Sequence, residues 1–168
     1  MSLSIYETTV NTFRRMLRGL DRELQTAVDN AKVRGFEPDR LLTARLAPDM
    51  FDLTRQVQIA CDLAKGAGSR LAGVEIPKHA DEETTIVELR ARIARVLTFL
   101  DTLPRETIDA AGEREIVLSV QGRELRFAGA DYVNQWALPN FYFHCSMTYA
   151  LLRQQGVPLG KRDFLALG

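Results

Sequence analysis

The sequence predicts an all-α fold: a four-helix bundle with a small β-hairpin before the last helix. Three observations carry this. Apolar residues recur at steps of three and four through four long stretches, the period of a helix with one buried face. One stretch between Pro104 and Asp131 alternates instead, as a half-buried strand pair does. The chain has 168 residues, 46% hydrophobic and 26% charged, which supplies one core of ordinary size and not two. Residues 1–168 are therefore read as a single domain, with the hairpin at about 114–127 and a tail over 157–168.

In the first helix, Phe13, Met16, Leu17, Leu20, Leu24, Ala27, Val28 and Ala31 form the inward stripe. Ser2 or Ser4 is placed to cap its start and Gly35 to end it. Gly19 costs roughly 1 kcal/mol relative to alanine in mid-helix, so it is expected to mark a close contact. PDRLLTARL then reads as one or two turns opening at Pro38. The second helix is expected from near Pro48 and Asp49 toward Gly66 or Gly73, with Met50, Leu53, Val57, Ala60, Cys61 and Ala64 inward. VEIPKHADEE is a loop by its proline and charges, closing on a cap at Thr84 or Asp81. Ile86, Leu89, Ile93, Val96, Leu97 and Leu100 carry the third helix, and Pro104 stands just past its end.

REIVLSV and RELRF, joined by Gln121-Gly122, make the hairpin. Ile116, Leu118 and Val120 share one face with Leu125 and Phe127 of the second strand. Two strands alone are marginally stable, so the hairpin must rest on the helices. Asp131 is the expected cap of the fourth helix, which runs to about Gln155 and stops at Gly156. Pro139 inside it removes a backbone donor and predicts a kink. The tail, VPLGKRDFLALG, reads as irregular, with Phe164 and Leu165 apolar enough to find a surface.

Several functions are disfavoured by composition. Lys plus Arg (22) balances Asp plus Glu (22), so no net field draws nucleic acid or an anionic membrane. No apolar run reaches the ~18 to 20 residues of a membrane span. MSLSIYETTVNTFRR has no apolar signal core and an early Glu7, which points to a cytoplasmic location. Two cysteines, Cys61 and Cys145, are too few for a disulfide framework. LAKGAGSRLAG follows a helix rather than a strand and so lacks the setting of a phosphate loop, and neither HExxH nor a paired CxxC occurs. Adjacent helical positions point ~100° apart, so Ser146 and His144, two positions apart, do not face each other, which argues against a catalytic triad.

His144 is the leading functional candidate. Asn140 and Thr148 stand one helical turn to either side of it, and Phe141, Met147 and Leu151 turn that line inward. A neutral imidazole there is a potential metal ligand or general base; a buried histidine bonded to one neighbour is the plainer alternative. The second helix offers a polar line of Gln58, Cys61, Asp62 and Lys65. Asp62 with Lys65 or Arg55 reads as a solvated ion pair, whereas Gln58 beside Cys61 is placed to line a pocket facing His144. Nothing nearby marks either cysteine as reactive. His79 reads as an exposed loop residue, and Trp136, Phe141, Tyr142 and Phe143 as core with a groove edge.

Three segments, NFYFHCSMTYALLRQQGVPLGKRDFL, RLAPDMFDLTRQVQIACDLAKG and MSLSIYETTVNTFRRML, resemble an uncharacterised bacterial domain-of-unknown-function family. That family belongs to the DinB/YfiT-like four-helix bundles, and the likeness covers essentially the whole chain. The resemblance implies an up-down-down-up topology and frequent dimerisation. It also implies a divalent metal held by one histidine on the second helix and an HxxxH pair on the fourth, in relatives that include metal-dependent thiol transferases and isomerases. His144 matches the second histidine of the pair; Asn140 stands at the first, and Gln58 near that of the second helix. Amides bind transition metals weakly, so two of three ligands are lost.

The expectation is thus a cytoplasmic homodimer with a degenerate metal triad, binding a small molecule in an interior pocket through His144, Asn140, Gln58 and Asp62. One alternative is a metal-dependent transferase or isomerase using a small thiol, with a divalent metal on His144 and on Cys61 or Asp62. The other is a structural or interaction protein whose polar trio is a satisfied core network.

Overall fold

The apolar stripes fold as their spacing requires. In a computed structural model, which describes residues 4–167, α1 spans Thr12–Arg34 and is entered through a π-helical stretch, Glu7–Asn11. Ser4 caps this entry, its Oγ accepting from the Glu7 N–H at 3.1 Å; Ser2 lies outside the described residues. Gly35 ends α1 in the left-handed conformation with φ 75°. A 3-10 helix, Pro38–Thr43, follows where the proline predicts a turn.

α2 spans Leu53–Ala72, starting later than Pro48 suggests. Asp52 is its cap, in extended backbone, and its carboxylate accepts from the Arg55 N–H at 2.9 Å. Met50 therefore precedes the helix instead of lying on its inward face. The end is at Gly73, with φ 70°, and Gly66 lies within the helix. α3 spans Ile86–Asp101 and opens on a capping box. There Thr85 Oγ1 accepts from the Glu88 N–H and Glu88 accepts from the Thr85 N–H, so neither Asp81 nor Thr84 is the cap. A short helix the periodicity did not predict, α4 (Arg105–Asp109), follows Pro104. Asp109 Oδ1 accepts from Ser4 Oγ at 2.7 Å and from the Tyr6 N–H at 2.9 Å, tying α4 to the start of the chain.

The hairpin is β1 (Glu115–Val120) and β2 (Arg123–Ala128), with Ile116 opposite Phe127 and Leu118 opposite Leu125. Gln121 and Gly122 both have positive φ, 49° and 77°, the turn whose twist matches the strands. The chain re-enters helix at α5 (Gly129–Asp131), two residues before the expected cap. Asp131 instead accepts from the Gln135 side chain at 3.0 Å. Gly129 is required there, because a Cβ would sit 2.0 Å from the Ala111 carbonyl oxygen. A π-helical stretch, Tyr132–Ala137, leads into α6 (Leu138–Gln154). The wide turn comes just before Pro139, where a proline ring would otherwise crowd the preceding turn.

The tail is not wholly irregular. It forms α7 (Lys161–Phe164) and folds back on α1, where Ala166 Cβ comes within 3.0 Å of the place a Cβ on Gly19 would occupy. That is the close contact Gly19 announces. Phe164 stacks edge-on with Tyr149 at 5.9 Å. Around one core, α2 packs on α3 and α6, and α1 packs on α3, α6 and α7. Phe13 and Phe141 meet edge-to-face at 4.8 Å in that core. Each wholly buried leucine or phenylalanine contributes roughly 1.5–3 kcal/mol by leaving water. Among the described residues no helix is long and apolar enough to cross a membrane.

Candidate functional site

The polar residues of α2 divide between two neighbours. Gln56 turns toward α6 and meets His144, Gln56 Oε1 lying 2.7 Å from His144 Nδ1. The Gln56 amide is oriented by its own second bond, Nε2 donating to the Phe51 carbonyl at 3.3 Å. A backbone carbonyl only accepts, so Oε1 must face the imidazole and Nδ1 must carry the proton. Nε2 is then the lone-pair nitrogen. Burial first, and the Arg55 charge second, lower the His144 pKa to about 4. His144 is therefore neutral at pH 7, a hydrogen-bond acceptor at Nε2 and a weak base.

Gln58 turns the other way. Its Oε1 accepts from Arg55 at 3.2 Å and its Nε2 donates to Glu83 at 2.9 Å. Asn140 is half-buried, and its Nδ2 donates to the Trp136 carbonyl at 2.7 Å, in the π-helical stretch. Thr148 likewise donates to the His144 carbonyl at 3.1 Å. Gln58, Asn140 and His144 thus share no hydrogen bond with one another, and the partner of His144 is Gln56.

Asp62 belongs to a charged cluster between α2, α3 and the loop over 74–85. Its Oδ1 lies 2.9 Å from both Lys65 Nζ and Arg92 Nη2. Arg92 is wholly buried on α3 and also pairs with Asp81 at 2.9 Å and Glu83 at 3.1 Å. Burial alone would lower its pKa, but the Glu83 hydrogen bond and the Asp62 and Glu83 charges raise it. Asp62 therefore does pair with Lys65 as its spacing suggests, yet it also anchors a buried arginine that the sequence reading missed. His79 is half-buried beside this cluster, with Nδ1 buried and unpartnered, instead of simply exposed. Burial and the charges of Lys65, Arg92 and Arg95 lower its pKa.

The same face of α2 borders a cleft of about 310 Å³. Ile59 and Leu63 form its floor, Leu118 and Val120 of β1 one wall, and Tyr132 and Trp136 the other, with Arg55, Asp62 and Arg70 along its length. This size lies at the lower end of small-molecule sites, roughly 300–1,000 Å³. Arg55 bonds to Asp81 and Gln58 and influences His144, so it joins the cleft to the buried pair.

The divalent metal implied by the resemblance does not fit these residues. Gln58 uses both ends of its amide on charged neighbours, and Asn140 holds a backbone carbonyl. Cys61 is wholly buried in the apolar core, where burial pushes its thiol up to about 12. Among the described residues no group of three His, Cys, Asp or Glu side chains is placed to hold a metal ion.

The described residues form a mostly helical fold with one small two-stranded antiparallel hairpin. The chain belongs to the family described as Domain of unknown function (DUF1993), whose model matches residues 5–165. It is similar to the crystal structure of a DinB family member protein from Shewanella denitrificans, with 42% identity and a TM-score of 0.88. That match covers 95% of this chain and 90% of the other. No curated protein matches.

Proposed function

We propose that this chain is an up-down-down-up four-helix bundle that acts in the cytoplasm as a homodimer and binds a small organic molecule. The cleft of about 310 Å³ between α2, β1 and the Tyr132–Trp136 wall carries this reading, because it joins an apolar floor to a few converging polar groups. Asp62 and Arg55 would orient the ligand at the cleft, and His144, which is not among its lining residues, would act on it only through Arg55. Gln58 and Asn140 would act from behind, Gln58 by holding Arg55 and Asn140 by fixing the main chain of Trp136.

Trp136 is the chain's single tryptophan, so its emission reports on the cleft directly. A screen of varied small molecules is expected to yield compounds that change Trp136 fluorescence and raise the melting temperature together. Saturation at a hundred times Kd stabilises by about 2.7 kcal/mol. Ile59→Arg, which places a long side chain in the floor, is expected to abolish both signals. Compounds that bind this variant unchanged, or a screen without any binder, would refute the reading. Light scattering at micromolar concentration is expected to give twice the chain mass; a monomer would remove the homodimer.

A further inference from the structure

We propose that the cleft takes an organic anion with a short apolar body, and that Arg70 holds its acid group. The proposal rests on the cleft being a ligand site and adds the class of ligand. Three charged side chains line the cleft, and two of them are already satisfied. Arg55 is paired with Asp81, and Asp62 with Lys65 and Arg92. Arg70 is in no ion pair among the described residues; its guanidinium approaches the neutral phenol of Tyr132. Tyr132 is 1% exposed and forms the wall against which the half-buried Arg70 lies. A half-buried guanidinium without a counter-charge, beside a phenol, is a strong site for a carboxylate or sulfonate.

The position of Arg70 is built into α2. A helical side chain leans toward the N-terminus and over the residue four places earlier. For Arg70 that residue is Gly66, and a Cβ there would lie 2.7 Å from Arg70 Nη1. The missing side chain makes room for the guanidinium to lie along the helix. Beyond it, Ile59, Leu63, Leu118 and Trp136 offer an apolar channel for the ligand body.

Hexanoate, hexan-1-ol and hexylammonium share one apolar body and differ in charge. Titrated against the intact chain with Trp136 emission as the readout, hexanoate is expected to bind at least about tenfold tighter than the other two. Arg70→Gln is expected to weaken hexanoate by about tenfold or more and leave hexanol within about twofold, with Arg70→Lys recovering part of the loss. Gly66→Ala is expected to act like Arg70→Gln while folding normally, since only the far end of a flexible side chain must shift. If the three probes bind alike, or Arg70→Gln leaves hexanoate unchanged, the anion assignment is overturned and the cleft reading stands. If none of the three binds at millimolar concentration the assignment is likewise overturned. The cleft reading falls with it only if the wider screen also yields no binder.

Discussion

Gln56 gives His144 a defined tautomer and a defined acid-base character. The imidazole is held neutral with its pKa near 4 against an ordinary 6.5, chiefly by burial. A depressed folded-state pKa means that the unfolded chain takes up the proton first as pH falls. The stability His144 contributes is complete above pH 6.5 and is lost toward pH 4, with a slope of up to about 1.4 kcal/mol per pH unit. Urea denaturation at pH 7, 6 and 5 is expected to show this slope in the difference between the wild type and His144→Leu. Equal pH dependence of the two proteins would contradict the assignment. The sequence pointed to His144 itself but not to its partner. Gln58 fits a polar line with Asp62 and Lys65, whereas Gln56 stands on the apolar stripe, three residues after Leu53 and four before Ala60, and so draws no notice. Two other buried polar residues are hidden in the same way. Arg92 follows Leu89 by three and precedes Val96 by four; Glu23 follows Leu20 by three and precedes Ala27 by four. A polar side chain at a stripe position is the signal that was available.

At the level of elements, Arg92 fastens the loop over 74–85 across α2 and α3. It bonds the Ala80 carbonyl at 3.0 Å as well as Asp62, Asp81 and Glu83. Removing one partner of a buried charged group costs about 3–5 kcal/mol because the remaining charges stay uncompensated. Arg92→Leu is expected to lose stability of that order in urea denaturation and to open the loop to limited proteolysis. A loss under about 1 kcal/mol would show the cluster to be solvated. The long helices and the hairpin were legible because their period follows directly from which face is buried. Their starts were less so. Pro48 and Asp131 are reasonable openings by local chemistry, but Asp52 accepts the free Arg55 N–H, and Gly129 is the residue that fits under the Ala111 carbonyl. Those choices depend on neighbours far along the chain. The turn that forms α7 depends likewise on the space above Gly19.

For the whole molecule, a second buried group opposes His144. Glu23 on α1 has a pKa raised to about 8, by burial first and then by the charge of Asp163 on the loop-back of the tail. Its Oε2 is buried without a hydrogen-bond partner, and on the α6 side it faces the protonated thiol of Cys145. A raised acid pKa stabilises below the unfolded value of 4.5 and loses that contribution as pH rises to about 8. The two residues offset each other between about pH 4.5 and 6.5. Above that only the Glu23 loss remains. Stability is therefore expected to be greatest in the mildly acidic range and to decline toward pH 8. Glu23→Gln, which cannot ionise, is expected to remove the decline. Melting temperatures of the two proteins at pH 6 and 8 test this, and parallel values would show that Glu23 is charged in the fold.

Cys61 and Cys145 are the only cysteines of the chain, and burial keeps both thiols protonated and out of reach. The native protein thus presents no accessible thiol to maleimides. A cysteine introduced at Ser119, exposed on the rim of the cleft, would be the single site such reagents find. A dye attached there would stand a short way from Trp136 and allow energy transfer across the cleft mouth, without deleting either native thiol.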